Sequence, residues 1–240
     1  MIQQKVRISL TSNGEEKERK KGKKMKDEAI SLGADFRKCT EFHGHACPGL
    51  AIGFQAARVL MGRLGARKAP DEELVAIVET DACGADAIQV ITGCTFGKGN
   101  FLFKNYGKHA FSLMDRRKGK GVRVCLRPDA FKMDRESLSL SEKVQKDEVS
   151  AREIGRYREF RQERVENILK ADTESLFKIE EVTTEIPAKA RIMGSGICDF
   201  CKESTKVDLL RTIDGKKVCI PCSEKHGFGN GLPSSHGSIA

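Results

Sequence analysis

The sequence predicts an α+β protein: a mixed helix and antiparallel-sheet core domain, then a charged helical region, then a small four-cysteine zinc-ribbon domain. Three observations predict it. The first half interleaves a long apolar stretch of helical spacing with short β-branched runs. Residues 134–173 turn abruptly polar, with apolar positions every three to five residues. Near the C-terminus, four of the nine cysteines fall into two Cys-x2-Cys pairs.

The elements follow in order. Residues 26–40 read as a short amphipathic helix through Ala29, Ile30, Leu32 and Phe36. Pro48 suits the first turn of the next helix, where its missing N–H costs nothing. GLAIGFQAARVLMGRLG then makes a long, largely buried helix ending at Gly65. LVAIVET is a buried strand by its length and β-branching. DACGADAIQVITGC is a turn followed by about two helical turns, and FGKGN is a glycine-rich connection. NFLFKNYGKHAFSLMD and KGVRVCLRPDAF read as two or three antiparallel strands, with turns near Tyr106-Gly107 and Lys118–Gly121. The charged stretch is a helical pair, and LFKIEEVTTEIP is a strand stopped by Pro187. The predicted boundaries are a tail at 1–24, a core at 25–190, a ribbon at 191–225 and a second tail at 226–240.

Charge excludes less than its sum suggests. Residues 1–24 hold eight Lys/Arg and three Glu, so +5 of the net +9 lies there. That segment reads as a disordered basic tail, and Met25 offers an alternative start. The bulk charge is therefore no argument for nucleic acid as a partner. The longest apolar runs are about five residues, against the roughly 20 a membrane helix needs. No signal-peptide pattern is present. The expectation is a cytoplasmic protein without a membrane partner.

The strongest chemical signal is CDFCKESTKVDLLRTIDGKKVCIPC. Cys198, Cys201, Cys219 and Cys222 form two knuckles, each placing two thiolates on one side of a turn. Asp214-Gly215 favours a hairpin that joins them. Four thiolates suit tetrahedral Zn²⁺, whose binding supplies folding energy that so small a module lacks. Docking to nucleic acid is the functional alternative, but acidic and basic residues alternate in the module and Phe200 is its main aromatic surface.

The second signal is EFHGHACPGL, residues 41–50. In an extended segment alternate side chains share a face, so His43, His45 and Cys47 can converge. Cys47 then sits at the N-cap opened by Pro48, where the helix dipole favours a thiolate. Such a group serves as metal ligand or nucleophile. The plain alternative is a loop whose Gly44 and Pro48 only turn the chain. Cys83 stands before another helix, with Asp81 and Asp86 nearby, and Cys94 follows it. Lys98 in TFGKGN could hold an anion. Cys39 and Cys125 read as inert buried thiols, and His109 as a strand-surface residue.

FHGHACPGLAIGFQAA, ETDACGADAIQVITGCTFGKGNF, a strand pair, a charged helical region and a C-terminal four-cysteine ribbon occur in that order. This resembles the E-subunit family of molybdenum/tungsten formylmethanofuran dehydrogenase, over residues 27–222. The resemblance implies an α+β core, a zinc ribbon and a homodimer. It implies a metal or thiol site drawing on His45, Cys47, Cys83 and Cys94, with His43, Asp86 and Lys98 as further candidates. It also implies a second metal ion at His45/Cys47 and a molybdenum/tungsten enzyme as partner. The chain is short for a molybdopterin-carrying component, so an accessory role is expected. A zinc-ribbon module docking to nucleic acid or polymerase, and a stand-alone zinc enzyme, are the competing expectations.

Overall fold

A computed structural model describes residues 33–228, apart from 133, 184 and 190–192. The two predicted tails fall almost entirely outside those residues. The first described element is a helix, α1, over 33–43. It runs further than expected and carries His43 as its last residue. The predicted extended run through His43 is therefore replaced by a helix end and a turn at Gly44.

Helix α2 (Pro48–Leu64) is the centre of the fold, with 11 of its 17 residues buried. A helix buried on most sides needs partners on most sides, and α2 has them. Strands β1 (Leu74–Val78), β3 (Ala110–Asp115) and β4 (Lys120–Leu126) form the heart of a five-stranded sheet. With β2 (Phe101–Phe103) and β5 (Phe177–Val182), the order is β2-β1-β3-β4-β5. Every residue of β1 and β3 is buried. Helix α2 packs on β3 and β4, against α3 (Gly84–Thr92) on one side and α5 (Ala151–Lys170) on another.

The sheet is mixed. β1 runs parallel to β2, with Ala76 opposite Phe101, while β1–β3, β3–β4 and β4–β5 are antiparallel. This corrects one expectation: the chain around Tyr106-Gly107 does not make a β2–β3 hairpin. β1 lies between those strands, and α3 supplies the crossover that parallel strands require. The Lys118–Gly121 turn forms as expected, with Asp115 Oδ1 accepting the Arg117 and Lys118 backbone N–H groups.

Gln55 is the polar tie between α2 and α5. It is 1% exposed, and its amide donates to the Ile168 and Leu169 carbonyls at 2.9 and 3.1 Å. These belong to the last turn of α5, whose carbonyls have no partner within the helix. Gln55→Leu is expected to cost about 1–3 kcal/mol, the penalty for stranding buried acceptors. A shift in the denaturant midpoint without a change of slope checks this.

The charged region is the helical pair it was read as, α4 (Arg135–Gln145) and α5. A capping box of Ser150 and Glu153 opens α5. The Glu153 carboxyl is held at about 2, below its ordinary 4.5, first by the Lys143 ammonium of α4 and then by the Ser150 N–H. A depressed carboxylate contributes stability above its unfolded pKa and loses it as pH falls through the folded one. The α4–α5 connection should therefore loosen between about pH 4.5 and 2, seen as faster amide exchange at 143–153.

After a single-turn helix, α6 (Thr173–Leu176), and β5, the C-terminal module holds two small hairpins. β6 (Ser195–Ile197) pairs with β7 (Ser204–Lys206), and β8 (Arg211–Ile213) with β9 (Lys216–Val218). Asp214 and Gly215 both take positive φ, 48° and 75°, the two-residue turn expected of that pair. A short helix, α7 (Ile220–Lys225), follows.

Candidate metal centre and adjoining cavity

Two helix N-termini meet beneath the EFHGHACPGL segment. Cys47 is the N-cap of α2, in extended conformation, and its Sγ accepts the Leu50 N–H at 3.4 Å. Gly44 turns the chain with φ 89° after its N–H bonds the Thr40 carbonyl. That turn folds His45 back towards His43, with ring centroids 4.6 Å apart. Ligand atoms of His43, His45 and Cys47 all lie within 4.8 Å of one another. The convergence foreseen for an extended strand is thus achieved by a helix end.

His43 is held at both ring nitrogens. Nδ1 lies 2.7 Å from Asp86 Oδ2, and Nε2 lies 3.9 Å from Cys47 Sγ. A carboxylate on one imidazole nitrogen fixes the tautomer and turns the other towards a metal. Asp86 belongs to the first turn of α3, where a negative charge also suits the helix dipole.

Cys83 is the N-cap residue of α3. Its thiol is pushed up by burial, and further by hydrogen bonding to Cys47. The two thiols meet because α2 and α3 cross in near backbone contact. A Cβ built on Gly53 would lie 2.3 Å from the Gly84 Cα, and one on Gly49 would lie 3.3 Å from the Cys83 Cβ.

Cys94 and Lys98 are not brought to this centre. They follow the other end of α3, whose nine residues span about 13 Å at 1.5 Å per residue. Cys94 is fully buried in the main core, and burial pushes its thiol up. Lys98 Nζ sits 3.3–3.5 Å from the carbonyls of Ala69, Pro70 and Asp71. Asn100, also fully buried, donates to the Leu74 and Asp71 carbonyls and accepts the Thr95 N–H. In GCTFGKGN these side chains fasten the connection between α3 and β2. Cys39 is buried, with its thiol pushed up to about 11 by burial. Cys125 lies half-buried in β4, and His109 and Asp81 are exposed.

A cavity of about 620 Å³, not foreseen from the sequence, opens beside the two thiols. Its lining joins Cys47, Pro48, Gly49 and Cys83 to residues from α4, the loop before it and α5, among them Phe131, Lys132, Tyr157, Phe160, Arg161 and Arg164. The signal was the spacing of Tyr157, Phe160, Arg161 and Arg164 at three or four residues on one helix face.

In the C-terminal module, ligand atoms of Cys198, Cys201, Cys219 and Cys222 also lie within 4.8 Å of one another. Cys201 and Cys219 sulfurs are 3.7 Å apart. An edge of a tetrahedron with ~2.3 Å Zn–S bonds is about 3.8 Å. The Cys219 N–H bonds Cys198 Sγ at 3.3 Å and leads the contacts that bring that thiol down to about 6. Cys222 is pushed up to about 12 by burial and its thiol neighbours. Thiols so crowded ionise together only around a cation. The cluster fits a zinc ribbon.

A family model described as "FmdE, Molybdenum formylmethanofuran dehydrogenase operon" matches residues 42–178, more than half of the chain and all of the His/Cys centre. The chain belongs to the FmdE family. Among solved structures it is similar to a tungsten formylmethanofuran dehydrogenase FmdE-like protein from Syntrophus aciditrophicus. That likeness covers 84% of this chain and 95% of the other, at 24% identity and a TM-score of 0.53, and it supports the fold. A curated protein of Archaeoglobus fulgidus, named "Probable S-adenosyl-L-methionine-binding protein", is 33% identical over 193 residues. The match covers 78% of this chain and 51% of that protein, so the chain spans about half the length of its curated relative. No helix among the described residues is long and apolar enough to cross a membrane.

Proposed function

We propose that this FmdE-family protein is a metal-binding accessory of molybdenum/tungsten formylmethanofuran dehydrogenase chemistry. Its working centre would be His43, His45 and Cys47. In this reading Cys83 is the adjoining thiol, and Asp86 orients His43. The observation that carries it is the convergence of three metal-competent side chains at the start of α2, with Asp86 on the outer nitrogen of one of them. Three protein ligands leave a position for a further ligand, as working metal sites require. Zinc in the four-cysteine ribbon is the structural partner of this centre. The reading also assigns residues 25–190 to the core and 191–225 to the ribbon, and takes the protein as a cytoplasmic homodimer.

Elemental analysis of anaerobically purified protein tests the centre. The expected result is two metal ions per chain, one lost in Cys47→Ala or His43→Ala and the other lost in Cys198→Ser. A single metal per chain, retained in Cys47→Ala, removes the metal reading. Cys47 and Cys83 would then be a thiol pair, countable with a thiol reagent before and after mild oxidation.

A second reading takes its ligand from the name of the Archaeoglobus relative. The cavity beside Cys47 is favourable to it, since about 300–1,000 Å³ suits a cofactor-sized molecule. Saturable heat of binding on titration with S-adenosylmethionine would support it, and its absence at millimolar ligand would remove it.

A further inference from the structure

The lining of this cavity carries an excess of positive charge beside aromatic rings. Arg164 has its Nε shut off from solvent without a hydrogen-bond partner. That N–H is closed to a ligand in the cavity as it is to water, so what Arg164 offers the cavity is the rest of its guanidinium. The guanidinium stacks over Phe131 at 5.2 Å, and burial lowers its pKa. Arg161 stands one helical turn away, over Tyr157 at 5.7 Å, and Lys132 lines the same cavity. Among the described residues none of these three cations pairs with a carboxylate. Asp134 and Glu163 also line the cavity. Asp134 is committed to the N-cap of α4, accepting the Ser137 N–H at 2.7 Å. Three cations against Asp134 and Glu163 leave the lining with one net positive charge; Lys132, Arg161 and both carboxylates are exposed, and Arg164 is half-buried.

We propose that this cavity binds a small molecule made of a planar ring bearing a phosphate or carboxylate, the oxyanion held by Arg161, Arg164 and Lys132 and the ring by Tyr157 and Phe131. Arginine suits this task because its planar fork meets an oxyanion with two parallel bonds. The aromatic side chains supply a face for the ring and are half-buried already, so little ordering is needed. Cys47 and Cys83 line the same cavity. The inference rests on the reading of those thiols as part of the working centre for what the bound ligand would face. The anion wall stands on its own observations.

The test uses three fluorescent probes with one ring: 1-naphthyl phosphate, 1-naphthoate and the uncharged 1-naphthalenemethanol. At least one anion is expected to bind ten-fold or more tightly than the alcohol, and which one does so separates phosphate from carboxylate. Arg164→Gln and Arg161→Gln should each erase most of that preference, while Arg152→Gln, exposed at the start of the same helix, should keep it. Equal binding of all three probes, binding of none, or a preference surviving in both cavity variants overturns the proposal. Metal content measured on the same samples keeps the two readings apart. An anion preference in protein lacking the first-half metal leaves the anion site standing and sinks the metal centre. Two metals per chain without an anion preference does the reverse.

Discussion

Gly53→Ala should destabilise the core by about 3 kcal/mol or more, at or beyond the upper end for adding one methyl group to a packed interior. The added Cβ would meet the Gly84 Cα and carbonyl oxygen at 2.3 Å. Both contacts are backbone, so no side chain can swing aside. The α2–α3 crossing itself must open, and that crossing sets Cys83 against Cys47. Melting should fall by roughly 6–12 °C for a domain of this size. The reactivity of the two thiols should change with it. Gly62→Ala is the matching control. It lies in the same helix with nothing within 4 Å of its would-be Cβ, so it should gain about 0.5–1 kcal/mol from reduced chain freedom. A Gly53→Ala protein that melts with the wild type would mean that the two helices part at little cost.

The local chemistry of the site was legible in the sequence, and its assembly was only partly so. Cys47 before Pro48 announces a capped helix, and the cap is there. Two Cys-x2-Cys knuckles around Asp-Gly announce the ribbon, and the turn takes the positive φ values that pair favours. What misled was the assumption that residues spaced by two must share a strand. His43, His45 and Cys47 meet across a helix end, because Gly44 reverses the chain. The parallel β1–β2 pairing was illegible, since nothing in FLF distinguishes a strand beside its neighbour from one across a crossover. Cys94 and Lys98 were drawn towards the centre by their residue types. Their side chains answer to burial and to three carbonyls on the far side of α3. The cavity wall was hidden for the opposite reason. Tyr157, Arg161 and Arg164 lie more than a hundred residues from Cys47, and only the return of α5 against α2 brings them near.

Loss of the ribbon metal should have the largest effect of any single change, and it should be local. Few side chains of the module are buried: Val218, Cys198, Cys219 and Ser223 are, while Ile197, Val207 and Leu209 are exposed. Three-residue strands in two separate hairpins cannot hold themselves in water. Metal ligation in such modules is worth roughly 10–16 kcal/mol, so removing it removes most of what folds them. The core owes little to this. Its sheet and helices close around α2, and its described tie to the segment leading to the ribbon runs from Arg116 to the Pro187 and Ala188 carbonyls. Cys219→Ser, or a strong chelator, should therefore cut amide protection over 195–225 by about a thousand-fold or more, at roughly 1.4 kcal/mol per factor of ten. Protection over 48–64 should stay within a factor of a few. If the core lost its protection in parallel, the two units would share one folding transition, and the metal would hold the whole chain. If the ribbon kept its protection in Cys219→Ser, three thiolates and a water would suffice for the metal, and its role as a closed structural site would fail.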